Sequence, residues 1–504
     1  DVQKMFCQTS IHPSDYPFQQ YLWRDLDKSI DPITYIMTSV MFGVGPAPFL
    51  AIGSTKHHAN REDMRQAYPL ACESVVENTY VDDVCDGKDT IEEAISLARE
   101  LKMLFAAGGW NLTKFVTNSQ CVLETIPEED RLIKDVIELV DRDHDGSTKA
   151  LGIGWNVLTD VFRFQTSERM IEPLTKYTKR TILSKVAQIF DVFGFYASFV
   201  IRGKIIVQEF WSLTSGWDEE LNGDIVQRFR SWEKEICELP EIEIPRCLKR
   251  FEVSFKRVEA HGFSDASQIA YGGMIYLRFE LPDGTVFVEY VLGKARVAPK
   301  ATKSLARLEL LAAFLAAKLM QYVTDAVSNI HIDSFTLWTD SMVALSWISK
   351  PSSTWKTFVA NRVQEIHDLV GNNVWRHVPG KENPADLLSR GTTVETLKSS
   401  SLYWCGPSWL RKNSNLWPTT DINSETELRP NETDMERKAK ISLVAIQENP
   451  LIDRFSDYIR LVRTVVWILR WKTQNESCPR SRPISVVDIK CAEETLIREI
   501  QSRH

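Results

Sequence analysis

The chain has 504 residues, 43% of them hydrophobic and 25% charged, with a net charge of −8. That length is too great for one core and predicts roughly two to four domains of ordinary globular make-up, while the acidic total argues mildly against a general nucleic-acid binder without excluding local basic faces. No apolar run approaches the roughly 20 residues of a membrane span, and nine scattered cysteines without CxxC pairs argue against a disulfide framework or a cysteine-based zinc site. The same cysteine usage points to a reducing compartment. The start, DVQKMFCQ, carries neither an initiator Met nor a secretory signal, as expected of a fragment or a processed product.

Residues 1–125 read as short strands mixed with helices. The clearest helix is Thr90–Ala107, with a capping box at Thr90 and Glu93, an apolar stripe of Ile91, Ala94, Ile95, Ala98, Leu101 and Phe105, and a stop at Gly108-Gly109. Residues 126–250 open on an acidic–basic helix. A strand pair around GIGWNVLTDVFRF follows, then helices through TKRTILSKVAQIFDVFGFYASFVIRGKIIVQEFW. Residues 251–392 read as an α/β domain: strands near Val258–Ser264, Ala270–Phe279 and Val286–Leu292, with Pro282-Asp283-Gly284 as a hairpin turn. A helix Lys303–Ala326, a strand ending at LWTD, a helix Trp355–Val370, a strand VWRHV and the segment PGKENPADLLSR complete it. Residues 393–450, rich in Ser, Asn, Pro and Trp, read as a linker, and 451–504 as a helical tail in which Trp467, Ile468 and Trp471 are core or partner-packing positions. The tail's Cys478 and Cys491 lack the context of a zinc site.

Two acidic constellations carry chemistry. Asp82 and Asp83 sit between two short β-type runs, and Asp1 opens a strand-like segment. Adjacent aspartates alone are most often solvated turn residues. Inside an apolar hairpin, as Tyr80-Val81-Asp82-Asp83, they form a pattern suited to clamping two divalent ions roughly 3.5–4 Å apart for nucleotidyl transfer. The second set is Asp265 in GFSDAS, Glu309 in LARLELLAA, Asp340 in LWTDS and Asp386 in NPADLLSR. A glutamate flanked by leucines is costly to bury unless a cation meets it. Helical period puts Glu309 in register with Ala306 and Ala313, a small-residue face able to pack on a sheet. Taken singly, Asp340 reads equally well as a helix cap and Glu309 as half of an ion pair; the ordered set on successive elements suits a phosphodiester-cleaving metal site.

These residues resemble a known family. YVDD with its capped helix and GGWNLTKFVTNS is similar to the palm of a reverse transcriptase. DVQKMFCQTSIHPSDYPFQQYLWRD, MTSVMFGVGPAPFLAI, YTKRTILSKVAQIFDVFGF and HVPGKENPADLLSRG resemble, more narrowly, the Pol polyprotein of BEL/Pao-type long-terminal-repeat retrotransposons. The resemblance implies an α/β and α+β multidomain chain. Its parts are a partial reverse-transcriptase palm (1–125, fingers missing), a thumb or connection-like region (126–250), a ribonuclease H-like α/β domain (251–392), a linker (393–450) and a helical lead-in to a truncated integrase (451–504). It implies RNA-directed DNA polymerase and ribonuclease H activities with two Mg²⁺ per active site, Mn²⁺ substituting. The metal-binding and catalytic positions would be Asp1, Asp82 and Asp83 in one site, and Asp265, Glu309, Asp340 and Asp386 in the other. Phe6 matches an aromatic gate against the ribose 2′-hydroxyl, Tyr80 joins it in the nucleotide pocket, Gly45-Pro46-Ala47-Pro48 resembles the loop shaping that pocket, and Lys114 matches a lysine that protonates departing pyrophosphate. Implied partners are an RNA template, a DNA primer, the RNA–DNA hybrid, deoxynucleoside triphosphates and the missing Pol segments, with no membrane; the implied location is a cytoplasmic virus-like particle or the nucleus. The chain departs from relatives in having no His in PGKENPAD: His377 is the nearest, and Lys381 the alternative. Hybrid grip would fall to Lys176, Lys179, Arg180, Lys185, Arg202 and Lys204. The contrasting expectation is a catalytically dead relic or a host-retained nucleic-acid-binding or interaction protein.

Overall fold

The computed structural model describes residues 1–132, 147–150, 153–213, 215–249, 254–300, 304–327, 330–419, 436–437, 454–472 and 483–501. The chain divides into two compact units, residues 1–437 and 438–504. Among the described residues no helix is long and apolar enough to cross a membrane.

In the N-terminal segment, Val2–Gln3 pairs antiparallel with Asn111–Leu112, and Thr79–Tyr80 pairs with Asp83–Val84 in a hairpin. The Val2 N–H donates to the Asp82 carbonyl at 2.8 Å, which ties the two strand pairs together. Beneath them pack helices Ala47–Ala59, Pro69–Glu77 and Ile91–Ala107. Thr90 caps the last of these, its hydroxyl accepting from the Glu93 N–H at 3.2 Å. The buried face differs from the expected stripe: Leu97, Leu101, Leu104 and Phe105 are inside, while Ile91 is 45% exposed. This helix meets the core only from its second turn onward. Gly108 stays helical, and Gly109 at φ +83° makes the left-handed step that ends the helix.

A four-stranded antiparallel sheet follows, from Ser147–Ala150, Ile153–Asn156, Val161–Arg163 and Ile244–Pro245. Beyond residue 132, the acidic–basic helix expected ahead of it lies outside the described residues.

The α/β part is a five-stranded sheet. Its strands are β1 (Arg257–Ala266), β2 (Ala270–Glu280), β3 (Val286–Val297), β4 (Ser334–Thr339) and β5 (Trp375–His377), in spatial order β3-β2-β1-β4-β5. The first three form an antiparallel meander; β4 runs parallel to β1, and β5 parallel to β4. Both β1 and β2 are buried nearly end to end, because each face of the sheet is covered. Gly284, at φ +86°, turns the β2–β3 hairpin, with the Leu281 N–H donating to Thr285 O at 2.9 Å.

One face carries α1 (Leu305–Ala326), followed in the chain by α2 (Met342–Ile348) and then α3 (Thr357–Val370), which packs on α1. Ala312, Ala313, Ala316 and Ala317 of α1 are fully buried, and a Cβ added at Gly273 would come within 3.1 Å of Ala316. Small residues on both partners thus let this helix lie close on β2, as the Ala313 face suggested. The short α4 (Asp386–Arg390) returns the chain to the opposite face.

That opposite face corrects two expected boundaries. Helix Ala197–Phe210 and the 191–196 loop pack against β3 in one core with the sheet, so residues before 250 complete the α/β part. Gly194, at φ +72°, sits where a Cβ would come 1.8 Å from Gly293 O, and its carbonyl accepts the hydroxyls of Tyr290 at 2.7 Å and Tyr403 at 3.0 Å. Asp191 folds back on the same loop and accepts the Tyr196 N–H at 2.9 Å; burial pushes its carboxyl up to about 6, against the pull of loop N–H donors. The expected linker is likewise folded from 393 to 419. Trp409 and Trp417 lie 4.7 and 6.2 Å, ring to ring, from Trp338 of β4, and the buried Arg278 donates to Leu410 O at 2.8 Å. Its polar residues, read as linker composition, are caps: Thr393, Ser400 and Asn413 accept from the N–H groups of Thr396, Tyr403 and Asn415. Residues 420–435 and 438–453 lie outside the described residues.

In the second unit, Tyr458–Lys472 and Val486–Gln501 pack through Leu461, Val462, Val465, Val466, Ala492 and Leu496. Trp467 and Trp471, expected as core or packing positions, are 48% and 69% exposed, on the outer side of the pair.

Candidate active site

Parallel pairing assembles the acidic cluster. Ser264 of β1 is in register with Thr339 of β4, so the next residues, Asp265 and Asp340, leave adjacent strands side by side at the same sheet end. Glu309 enters from the first turns of α1. Ligand atoms of Asp265, Glu309 and Asp340 lie within 4.8 Å of one another, and among the described residues no other group of three His, Cys, Asp or Glu side chains does so. Asp265 is 4% exposed and Glu309 7%.

Three carboxylates in one buried place disfavour their own ionisation. Burial raises the Asp265 carboxyl, and the charge of Asp340 beside it raises it further. Asp340 is also raised, by burial first, with His377 pulling the other way. Glu309 is pushed up to about 9 by burial and then by the charges of Asp265 and Asp340. Its Oε2 is buried without a hydrogen-bond partner. A cluster of hard oxygen donors, unable to ionise together and holding an orphaned oxygen, fits a divalent cation of the magnesium or manganese type.

Asp386 stands beside this trio. It begins α4, its carboxylate takes Arg390 Nε at 2.5 Å, and its charge raises Asp265, Glu309 and Asp340 without its oxygens joining the converging group. The loop before it is packed hard on the cluster: a Cβ at Gly380 would come within 3.0 Å of Asp340 Oδ2. Two residues that sequence reasoning passed over hold this loop and helix. Asn383, 1% exposed, donates from Nδ2 to Ser264 O at 2.9 Å and accepts the Ala385 N–H at 3.2 Å. Ser389 is fully buried and donates its hydroxyl to Asp265 Oδ2. The signal for Ser389 was its position, one helical turn after Asp386; Asn383 carried only its place between a turn and a proline. His377 lies on β5 in register with Thr339.

At the other constellation, backbone contacts bring the chain segments of Asp1, Asp82 and Asp83 side by side, but their carboxylates do not form a group within 4.8 Å. Asp1 exchanges backbone hydrogen bonds with Thr113 at 3.0 Å, and Asp82 O takes the Val2 N–H. The Asp1 carboxylate is paired with Lys114 Nζ at 2.5 Å. Asp83 faces Tyr80 across the hairpin, and Tyr80 is 63% exposed. Phe6 packs its ring 5.0 Å from Phe42, and Gly45–Pro48 leads into helix Ala47–Ala59. The basic residues expected to grip a hybrid are divided. Lys185 is buried, paired with Glu233 at 3.3 Å and donating to Glu172 O at 2.6 Å. Arg202 braces Glu235 and the Thr392 carbonyl, and Arg180 pairs with Asp218. Lys185 and Arg202 are therefore structural cations and not a phosphate-binding face.

Residues 178–341 match the family model described as the Pao retrotransposon-like RNaseH-like domain. The match begins at Thr178, the N-cap of helix Lys179–Ala187, takes in helix Ala197–Phe210 and ends just after Asp340, so it includes Asp265, Glu309 and Asp340. It supports a Pao retrotransposon Pol fragment with a nuclease-type, RNase H-like domain, a class that uses divalent metal and acts on nucleic acids such as RNA–DNA hybrids. A comparison with curated proteins gives no match.

Proposed function

We propose that this chain is part of a retroelement Pol protein whose RNase H-like domain cleaves the RNA strand of an RNA–DNA hybrid by two-metal phosphoryl transfer. The observation that carries the reading is the meeting of Asp265, Glu309 and Asp340 in one buried cluster at the end of parallel strands. Bound Mg²⁺ or Mn²⁺ would supply Lewis acidity toward the scissile phosphate and its attacking water. The protein's share is to fix the oxygens in advance. The parallel register holds Asp265 and Asp340 abreast, the α1 packing delivers Glu309 from the side, and the 379–386 loop brings Asp386 to the rim as the remaining ligand. Burial disfavours charge on Asp265 and Glu309, and cations bound there would favour the ionised carboxylates.

The N-terminal segment belongs to the same reading as a polymerase palm. Asp1, Asp82 and Asp83 are its metal-binding carboxylates, Phe6 its gate against ribose, Tyr80 part of the nucleotide pocket, and Lys114 the proton donor to pyrophosphate. RNA template, DNA primer and deoxynucleoside triphosphates are its partners. The Lys114–Asp1 pair supports the proximity this needs.

The test incubates the whole chain with Mg²⁺ and an RNA–DNA hybrid labelled on the RNA strand. Cleavage by the wild type and none by Asp340→Asn is the expected result. A wild-type chain that binds the hybrid and leaves the RNA intact contradicts the enzyme and favours a relic that retains binding alone.

A further inference from the structure

Among the groups that the cluster does not itself require, one hydroxyl reaches into it. Ser389 is fully buried on α4, and its Oγ donates to Asp265 Oδ2; the Asp386 carbonyl, 3.1 Å away, is its alternative acceptor. A hydroxyl has one proton to give, and the carboxylate is the stronger acceptor. The backbone of Ser389 is held independently, since Ser267 Oγ donates to Ser389 O at 2.7 Å. Leu388 presses on β2 so closely that a Cβ at Gly272 would fall 2.6 Å from its own Cβ. Ser389 therefore cannot drift, and the oxygen of Asp265 that it engages is held with it.

Resting on the reading above, we propose that Ser389 is a positioning residue for the metal centre: its hydroxyl fixes the carboxylate plane of Asp265 and, through α4, couples that orientation to the placement of Asp386. The first and fourth carboxylates of the set lie 121 positions apart in the chain and on different elements. One hydrogen bond makes them a single unit. Without it, Asp265 Oδ2 loses its donor and the carboxylate is free to turn away from the orientation that meets Glu309 and Asp340.

The test is Mn²⁺ titration calorimetry on the whole chain, which reads metal affinity without turnover, with thermal melting alongside. Ser389→Ala removes the donor and keeps the backbone tie; Ser267→Ala removes the backbone tie and keeps the donor. The expected result is a loss of Mn²⁺ affinity of about tenfold in Ser389→Ala, the scale of lost outer-sphere support, with affinity in Ser267→Ala close to wild type. Equal affinity in Ser389→Ala and wild type overturns the proposal, and so does an equal loss in the two variants, which would make α4 packing the whole cause. A wild-type titration indistinguishable from that of Asp265→Asn overturns the metal reading itself, an outcome separable from either of these.

Discussion

The two acidic constellations of this chain are built in opposite ways. The segments carrying Asp1, Asp82 and Asp83 are brought side by side by two-residue strands without their carboxylates converging, and a half-exposed lysine pairs with Asp1. Asp265, Glu309 and Asp340 are drawn together by a five-stranded sheet and a 22-residue helix, with His377 of the last strand acting on Asp340. The difference teaches what a buried anionic site needs: long elements with cores on both faces can hold like charges together, whereas a short hairpin leaves them to water and to a neighbouring lysine.

The sharpest way to break this contrast is to neutralise one carboxylate in each place. Asp340→Asn is expected to lower hybrid cleavage by on the order of 10³-fold, several kcal/mol of transition-state stabilisation, while Asp83→Asn leaves cleavage within about twofold. Equal losses would mean that the two sites are not separate. Trp409→Ala tests whether the sheet needs its second layer. Deleting that indole, packed against Trp338, is expected to cost about 3 kcal/mol in denaturant unfolding; an exposed-residue cost near zero would return 393–419 to the role of a linker. In the N-terminal segment, Leu101→Ala should cost about 2–3 kcal/mol and Ile91→Ala no more than about 0.5 kcal/mol, a ratio that the originally expected stripe would reverse toward equality.

Glu309→Gln sharpens the contrast by sign. In the metal-free native chain Glu309 titrates near 9, raised from an ordinary value of 4.5. The native state therefore binds this proton more tightly than the unfolded state, and its stability falls as pH rises from about 4.5 toward 9. Gln carries no such penalty. Metal-free Glu309→Gln should melt clearly above wild type at pH 8 and level with it near pH 4. Adding Mn²⁺ should reverse the order at pH 8, because only the wild type gains a ligand. A variant that melts lower than wild type in chelator at pH 8 would show that Glu309 is held charged by something other than a metal.

Much of the α/β part was legible because its patterns are long: β1 to β3, α1 and α3 lie where alternation, helical period and turn residues place them, and of the four acidic residues singled out Asp265, Glu309 and Asp340 meet while Asp386 stands beside them. What was illegible depended on partners distant in the chain. Thr393, Ser400 and Asn413 looked like linker residues because a cap and a loop draw on the same amino acids. Lys185 and Arg202 looked like a basic face because nothing local reveals that Glu233 and Glu235, more than thirty positions on, receive them. Ile91 fitted the helical stripe of 91–107 perfectly well, yet periodicity says nothing about where along a helix the core begins. Ser389 could be singled out only once Asp265 was known to lie against α4.

The most direct test of the metal centre is an anomalous difference map from a crystal of this chain grown with Mn²⁺. The account predicts density between the carboxylates of Asp265, Glu309 and Asp340, lost in Asp265→Asn. Manganese bound elsewhere in the chain, with that cluster empty and its side chains sharing protons, would contradict it.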